Sequence, residues 1–242
     1  MRTLLAFLLS FCTLAAADAV AREPVRVLVF TKTAGFRHDS IPAAVDALRT
    51  LGGGMGWEVE DGEDAAVFTR ERLARYRVVV FANTTGDVLD AAQEAALRGF
   101  VEGGGGFVGI HAAADTEYGW PWYETLVGAW FESHPPGLQE TRLTFSDDGV
   151  APDGREWRVT DELYNYRRNP RPRVRVVATV DEGGYDGGTM GADHPISWCH
   201  APGEGHAWYT GLGHRNEMYA DGTFRRHLLR GLRYAAGESD DC

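Results

Sequence analysis

Residues 25–31 read VRVLVFT, an apolar run broken only by Arg26. Strands that are buried on both faces of a parallel sheet are near-continuous runs of this kind. Further short strands are predicted at residues 57–60, 77–83 and 107–110, and helices or crossovers separate them. Strands that alternate with helices in this way predict an α/β protein with a parallel sheet.

The helices between these strands have recognisable starts and stops. Ser40 and Asp90 are suitable N-caps, and each is followed by apolar residues at helical spacing. Glycine runs at residues 52–54 and 103–106 end the two patterns. The second glycine run precedes a strand and does not open a helix, so it is not a phosphate-binding loop, and no nucleotide cofactor is expected.

The second half of the chain has a different pattern. Residues 139–145 and 174–180 alternate between polar and apolar, residues 196–200 and 206–210 are also strand-like, and an amphipathic helix ends near Ala235. We expect antiparallel additions to the sheet here. The chain contains neither an internal repeat nor a polar linker, which predicts one domain over residues 24–237 and a polar tail over 238–242.

Composition excludes several classes of protein. Of 242 residues, 44% are hydrophobic and 11% aromatic, which is too many for a disordered chain. Apart from the N-terminus, no apolar run approaches the length of a membrane span, so we expect no integral membrane association. The formal net charge of −11 argues against a nucleic-acid partner.

The N-terminus has the pattern of a secretory signal peptide. Arg2 precedes an apolar run at residues 4–17, and small residues follow. We predict a signal peptide over residues 1–21, cleaved after Ala21, and a periplasmic or secreted protein. Cys199 and Cys242 would remain after cleavage, and in an oxidising compartment they could pair.

Two polar loops follow predicted strands, at the edge where open parallel sheets bind ligands. Residues 31–40 follow the first strand, and residues 109–116 follow the fourth. The loops would face one pocket if these two strands are neighbours. His38 and His111 then become candidates for a general base, and Lys32 could neutralise an anionic intermediate.

A third histidine, His214, begins a glycine-flanked loop after a later strand. Together with His38 and His111 it could hold a divalent metal such as zinc, because three imidazoles and an open fourth position suit a catalytic zinc ion. Each of these histidines could instead be a hydrogen-bonded structural residue.

Aromatic and acidic residues in the loops suggest sugar binding, because aromatic faces stack on sugar rings and carboxylates accept hydrogen bonds from hydroxyl groups. A core-packing role for the aromatic residues is the alternative. The predicted substrate-binding residues are Arg37, Asp115, Glu117, Trp120, Glu162, Tyr164, His194 and Trp198.

Five motifs, in order, resemble the trehalose-utilisation (ThuA-like) family: GFRHDSI at 35–41, GIHA at 109–112, DELY at 161–164, HPISW at 194–198 and LGH at 212–214. The resemblance covers nearly the whole chain after the signal peptide. It implies a class I glutamine amidotransferase-like fold, a flavodoxin-like doubly wound sheet with helices on both faces. The family lacks the catalytic cysteine of the amidotransferases, and His111 stands near that position here, so glutamine amidotransferase activity is not expected.

The family is linked to the use of sugars, especially disaccharides oxidised to 3-keto forms. The resemblance therefore implies a small-molecule carbohydrate partner and elimination, isomerisation or hydrolysis of a 3-keto glycoside. His111 or His38 would be the base, and Lys32, Arg37 or a metal ion would stabilise the oxyanion. A non-catalytic carbohydrate-binding protein and a metal-dependent hydrolase of another substrate class are alternatives, and a homo-oligomer is compatible with the sequence.

Overall fold

The computed structural model describes residues 23–152 and 154–242, which form eleven β-strands and five α-helices. The strands are β1 (Arg26–Phe30), β2 (Glu58–Gly62), β3 (Val78–Ala82), β4 (Gly106–Ile110), β5 (Phe131–Ser133), β6 (Gln139–Phe145), β7 (Glu156–Asp161), β8 (Asn165–Tyr166), β9 (Arg175–Val180), β10 (Pro195–His200) and β11 (His206–Thr210). The helices are α1 (Ile41–Gly54), α2 (Arg70–Leu73), α3 (Ala91–Glu102), α4 (Pro121–Val127) and α5 (Gly222–Ala235). The predicted signal peptide lies outside the described residues. Among the helices that are described, none is both long and apolar enough to cross a membrane.

Nine strands form one sheet in the order β2-β1-β3-β4-β11-β10-β9-β6-β7. The first five positions pair in parallel, and every later pair is antiparallel. The parallel part has the 2-1-3-4-5 order of flavodoxin-like sheets, with β11 as the fifth strand. The predicted fold class, including the antiparallel additions in the C-terminal half, is therefore confirmed.

Helices cover both faces of the parallel part. Trp208 of β11 lies on the face of α5, where a Cβ atom added to Gly231 would come within 2.3 Å of its ring. Phe107 of β4 projects to the opposite face and packs against Tyr123 of α4, with ring centroids 6.1 Å apart. Successive residues of a strand point to opposite faces, so these contacts place α5 and α4 on different sides of the sheet.

One condition set by the sequence is not met, and the predicted cap at Ser40 needs correction. The strands β1 and β4 are not neighbours, because β3 pairs with both of them. All five residues of β3 are buried, which suits the strand at the middle of a doubly wound sheet. Ser40 does occupy the N-cap position of α1, but its hydroxyl does not cap the helix and donates instead to the carbonyl of Gly213, at 3.0 Å.

The polar tail is attached to the sheet. Cys242 is buried and forms a disulfide with Cys199 of β10, as the sequence allowed. Arg175 of β9 donates to the carbonyl of Asp240 at 2.6 Å, which fixes the tail further. The last residues of the chain are therefore part of the packed structure.

Candidate functional site

A pocket of about 240 Å³ lies beyond the carboxyl ends of the parallel strands. This is the edge at which α/β proteins of this topology bind ligands. Its lining consists of Phe36, His38, Asp115, Phe131, His134, Glu162, Tyr164 and His214. A larger cavity of about 470 Å³ lies between α2 and α3, but the described residues that line it include no histidine or carboxylate. The smaller pocket therefore has the chemistry of a functional site.

Three histidines converge beneath this pocket. The ring centroid of His38 lies 4.9 Å from that of His111 and 5.2 Å from that of His214, and the latter two rings are 5.4 Å apart. Oε2 of Glu162 lies 3.3 Å from Nε2 of His111 and 3.3 Å from Nδ1 of His214. These four residues, called the His/Glu cluster below, each offer a ligand atom within 4.8 Å of the others. The loops after β1 and β4 thus meet although their strands are not adjacent.

The orientation of His111 is fixed by the backbone around it. This residue is fully buried and has a φ of 49°, in the left-handed region that turns the chain sharply out of β4. Nδ1 of His111 lies 2.7 Å from the carbonyl of Gly211. The hydroxyl of Tyr209 donates to the backbone carbonyl of His111 at 2.9 Å. A carbonyl can only accept, so Nδ1 carries a proton, and Nε2 faces Glu162.

The loop that carries His214 is held from two sides. The carboxylate of Asp161, at the end of β7, accepts from the backbone N–H groups of Gly213 at 2.6 Å and Arg215 at 3.2 Å. The hydroxyls of Ser40 and Tyr219 each donate to the carbonyl of Gly213, both at 3.0 Å. Ser40 follows His38 by two residues, so the same contacts tie two histidine-bearing loops together.

Burial and mutual proximity determine the charges in the cluster. Burial, and then the neighbouring imidazoles, lower the pKa of His38 to about 3. Burial opposes ionisation of Glu162, but His111 and His214 outweigh it and hold the pKa of that carboxyl below its usual value. The carboxylate of Glu162, 3.3 Å from Nδ1 of His214, raises the pKa of that imidazole. At neutral pH the site therefore contains a carboxylate and at least one neutral imidazole, that of His38.

Three of the predicted substrate-binding residues line the pocket, namely Asp115, Glu162 and Tyr164. The ring of Tyr164 packs against that of His111, with centroids 4.2 Å apart. Burial raises the pKa of the Asp115 carboxyl, which accepts a hydrogen bond from the hydroxyl of Tyr118 at 2.6 Å.

The charged residues predicted from the first loops lie elsewhere. Nζ of Lys32 donates to the carbonyl of Val88 at 2.8 Å, and Arg37 forms an exposed ion pair with Glu63 at 2.7 Å. The buried carboxylate of Glu117 accepts from the backbone N–H groups of Val88 and Leu89, both at 2.8 Å, and so pairs two buried donors of that loop. Each side chain has found a local partner, and none of the three lines the pocket.

Three further predicted residues have structural contacts outside the pocket. Trp120 packs on Trp122, with ring centroids 4.9 Å apart. The buried indole of Trp198 donates to the carbonyl of Val127 at 2.8 Å. His194 lies behind the pocket wall, where Nε2 is 2.9 Å from the carbonyl of Tyr164 and Nδ1 is 2.8 Å from Glu182. It supports the backbone of a lining residue without lining the pocket itself.

The sequence reasoning did not single out Phe36, Phe131 and His134. His134 lies 3.3 Å from Oε1 of Glu162, through its Nδ1, and follows β5, a strand of three residues that is too short to give a periodic signal. Phe36 lies within the loop predicted to be functional, and its side chain is 66% exposed. A large apolar residue in a polar loop was the signal that could have identified it.

The fold and the predicted family agree with comparisons to known proteins. The sequence model of the family described as ThuA, trehalose utilisation, matches residues 26–235. No curated protein matches the chain. Among solved structures, a protein described as ThuA-like from Bacteroides uniformis ATCC 8492 is 23% identical with a TM-score of 0.75, over 94% of this chain and 97% of that one.

Two further structures show how widely the fold occurs. A ThuA-like protein from Parabacteroides merdae ATCC 43184 is 21% identical with a TM-score of 0.69, over 90% of this chain and 91% of that one. A β-galactosidase from Bacillus circulans sp. alkalophilus is 16% identical with a TM-score of 0.54, over 90% of this chain but 32% of that one. These likenesses concern the fold alone. The family match, which spans most of the sequence, shows that the chain belongs to the trehalose-utilisation (ThuA) family.

Proposed function

We propose that the protein acts on an oxidised carbohydrate, a 3-keto glycoside, in the pocket above the His/Glu cluster. The observation that carries this proposal is the convergence of three imidazoles and one carboxylate at the ligand-binding edge of the sheet, in a family named for trehalose utilisation. A protein that only binds sugars has no need of convergent imidazoles. Catalysis is therefore favoured over simple binding.

The chemistry follows from the acidity of the C–H group next to the ketone. A base removes this proton, the electron pair of the C–H bond forms a C=C bond, and the π electrons of the carbonyl move to its oxygen to give an enediolate. The enediolate is either reprotonated at the other carbon, which is isomerisation, or expels the glycosidic oxygen, which is elimination. Addition of water to the elimination product completes a net hydrolysis.

The cluster contains bases in the required state. The pKa of His38 is about 3, chiefly because of burial, so this imidazole is unprotonated at neutral pH. Nδ1 of His111 donates to the carbonyl of Gly211, which turns Nε2 of this ring toward the cluster as the second candidate base. Lys32 and Arg37 were expected to stabilise the oxyanion, but they contact Val88 and Glu63 instead. Neither side chain is therefore in position for that role.

The dimensions of the pocket suit one sugar ring. Its volume of about 240 Å³ lies below the range of about 300–1,000 Å³ that is common for ligand pockets. Phe36 and Phe131 supply apolar walls, while Asp115 and Glu162 can accept hydrogen bonds from hydroxyl groups. We therefore place the oxidised ring in the pocket and the second residue of the glycoside in solvent.

The test is a screen of the purified protein against 3-keto glycosides, with and without added divalent metal, in which products are identified by NMR. We expect turnover by the wild type and a loss of about 10²–10⁴-fold in kcat for His111→Ala. His206→Ala is the matched control, because His206 lies at the opposite end of β11 from the pocket. Unchanged turnover in His111→Ala would refute the catalytic assignment, and binding of sugars without turnover would identify a binding protein.

We also propose that the protein works in the periplasm or outside the cell. The N-terminal pattern and the Cys199–Cys242 disulfide support this location, since disulfides persist in oxidising compartments. Mass spectrometry of protein recovered from each cell fraction provides the test. We expect a mature chain that begins at Arg22 in the periplasm or medium, and an uncleaved chain confined to the cytoplasm would contradict the proposal.

A further inference from the structure

We infer that His38, His111, His214 and Glu162 form a binding site for one divalent transition-metal ion, with zinc as the best fit. The inference goes beyond the proposed substrate and does not depend on it.

The spacing matches that of metal ligands better than that of hydrogen bonds. In a tetrahedral site with bonds of about 2.0–2.1 Å, neighbouring ligand atoms lie about 3.4 Å apart. Oε2 of Glu162 is 3.3 Å from Nε2 of His111 and 3.3 Å from Nδ1 of His214. An N–H···O hydrogen bond is usually shorter, at about 2.9 Å. All four ligand atoms lie within 4.8 Å of one another, so the side chains would move closer together around an ion that contacts all of them.

One nitrogen atom of each histidine lacks a hydrogen-bond partner, and two of these atoms face the carboxylate of Glu162 at 3.3 Å. Nδ1 of His38, Nε2 of His111 and Nδ1 of His214 are buried and make no hydrogen bond to any described residue. His38 and His111 are 5% and 0% exposed. Buried polar atoms are nearly always paired, so unpaired atoms in one place need an explanation. A cation that accepts their lone pairs provides it.

The surroundings orient the donors as they do in known metal sites. A metal-binding histidine commonly donates its other ring N–H to a carbonyl or carboxylate, and His111 does so to Gly211 at 2.7 Å. Oε1, the second oxygen of Glu162, lies 3.3 Å from Nδ1 of His134. Both contacts fix the direction in which a ligand atom points toward the cluster.

The donor set selects the type of ion. Three imidazoles and one carboxylate suit zinc and related transition metals, whereas magnesium and calcium prefer oxygen ligands throughout. His38, His214 and Glu162 also line the pocket, so a fifth position on the ion would face it. Zinc sites can expand from four to five ligands in this way.

The experiment measures metal binding directly. The full-length mature protein is stripped with a chelator, dialysed, and titrated with Zn²⁺ by calorimetry and with Co²⁺ by visible absorption. We expect one ion per chain, the absorption of a four- or five-coordinate Co²⁺ site, and a rise in Tm when Zn²⁺ is added. His38→Ala, His214→Gln and Glu162→Gln should each weaken Zn²⁺ binding by at least 100-fold, whereas His206→Ala should bind as the wild type does.

Circular dichroism shows whether each variant is folded, and the wild-type titration decides the question even if a variant is not. Absence of stoichiometric binding by the wild type would overturn the inference, as would unchanged affinity in folded His38→Ala and His214→Gln. If no ion binds but 3-keto glycosides are turned over, only the metal site is refuted. If the ion binds and no sugar is turned over, only the proposed function is refuted.

Discussion

Buried histidines occur in two very different regions, the His/Glu cluster and the layer between α5 and the sheet. His227 of α5 is fully buried, and burial lowers its pKa to about 3, the same value as for His38. The rings around His227 belong to Trp208 and Phe145, at 4.7 and 5.3 Å between centroids. The rings around His38 are those of two further histidines and the exposed Phe36.

The difference shows that burial and a low pKa do not by themselves identify a functional histidine. His227 has one polar contact, from Nε2 to the hydroxyl of Thr210 at 3.2 Å, and otherwise fills space in an aromatic core. In the His/Glu cluster several titratable side chains from distant parts of the chain point at one another. Convergence of such groups, in a pocket at the ligand-binding edge of the sheet, is what identifies a site.

The largest effect that we expect is on acid stability, where the two regions should behave alike. The unfolded chain protonates His227 below pH 6.5, but the folded protein does so only near pH 3. The unfolded state therefore binds more protons in this window, and the free energy of unfolding falls by about 1.4 kcal/mol per pH unit for each such histidine as pH decreases. Between pH 6.5 and 4.5 this amounts to on the order of 3 kcal/mol for His227.

Urea unfolding at several pH values between 4.5 and 7 tests this prediction with His227→Phe. The variant keeps a ring in the aromatic core but cannot be protonated, so the slope of its unfolding free energy against pH should be smaller by nearly one proton. If the slope equals that of the wild type, His227 is not protonated on unfolding in this range. The acid dependence of the unfolding free energy would then come from other groups. His227 would not share the titration behaviour expected of His38.

The second-largest effect that we expect is a loss of about 2 kcal/mol in the free energy of unfolding when the loop that carries His214 loses its support. Asp161→Asn replaces a buried carboxylate that accepts from the N–H groups of Gly213 and Arg215. An amide offers one acceptor oxygen and places N–H donors where acceptors are needed, so one buried donor is left unpaired. We expect a lower free energy of unfolding and weaker binding of both metal and substrate, because the His214 loop loses its anchor.

Asp90→Asn is the matched control for Asp161→Asn. Asp90 also accepts from two backbone N–H groups, those of Ala92 and Gln93, but it caps an exposed helix start outside the loop that carries His214. Asparagine is about as good an N-cap as aspartate, so this change should cost only a few tenths of a kcal/mol. Equal losses in the two variants would mean that Asp161 has no special role beside the site.

The same contrast explains how far the sequence could predict the molecule. Strands β1, β3 and β4 are short runs of mostly apolar residues. His111 follows β4 directly and His214 lies in the loop after β11, so local pattern located both. Local pattern does not say which strands are adjacent. The placement of β3 between β1 and β4 depends on how the whole sheet is covered by helices.

The site was less predictable because the contacts of its side chains depend on the tertiary structure. Glu162 follows β7, the strand at the far edge of the sheet, and only the tertiary path of the chain brings it back to His111. Lys32 and Arg37 belong to the right loop, but each found a nearer acceptor in Val88 or Glu63. Residue type and loop membership therefore identified the candidates, while competition for partners decided which of them reached the pocket.

The smallest effect on stability should come from Phe36, at the solvent-facing side of the cluster. This side chain is 66% exposed, so Phe36→Ala should change the free energy of unfolding by no more than about 0.5 kcal/mol. Its ring nevertheless meets that of His38 edge to face, at 4.9 Å, and forms one wall of the pocket. Loss of an aromatic wall should raise KM for a 3-keto glycoside by about threefold to tenfold.

Leu138→Ala is the comparison that gives this last measurement its meaning. Leu138 is also a large exposed apolar residue, with 45% of its surface accessible, but it does not line the pocket. Steady-state kinetics of both variants should therefore show a higher KM for Phe36→Ala and the wild-type value for Leu138→Ala. Equal KM values would make Phe36 an ordinary surface residue. A ring that contacts the cluster without affecting substrate binding lies outside the part of the site that recognises sugar. The boundary of the site would then be drawn at His38.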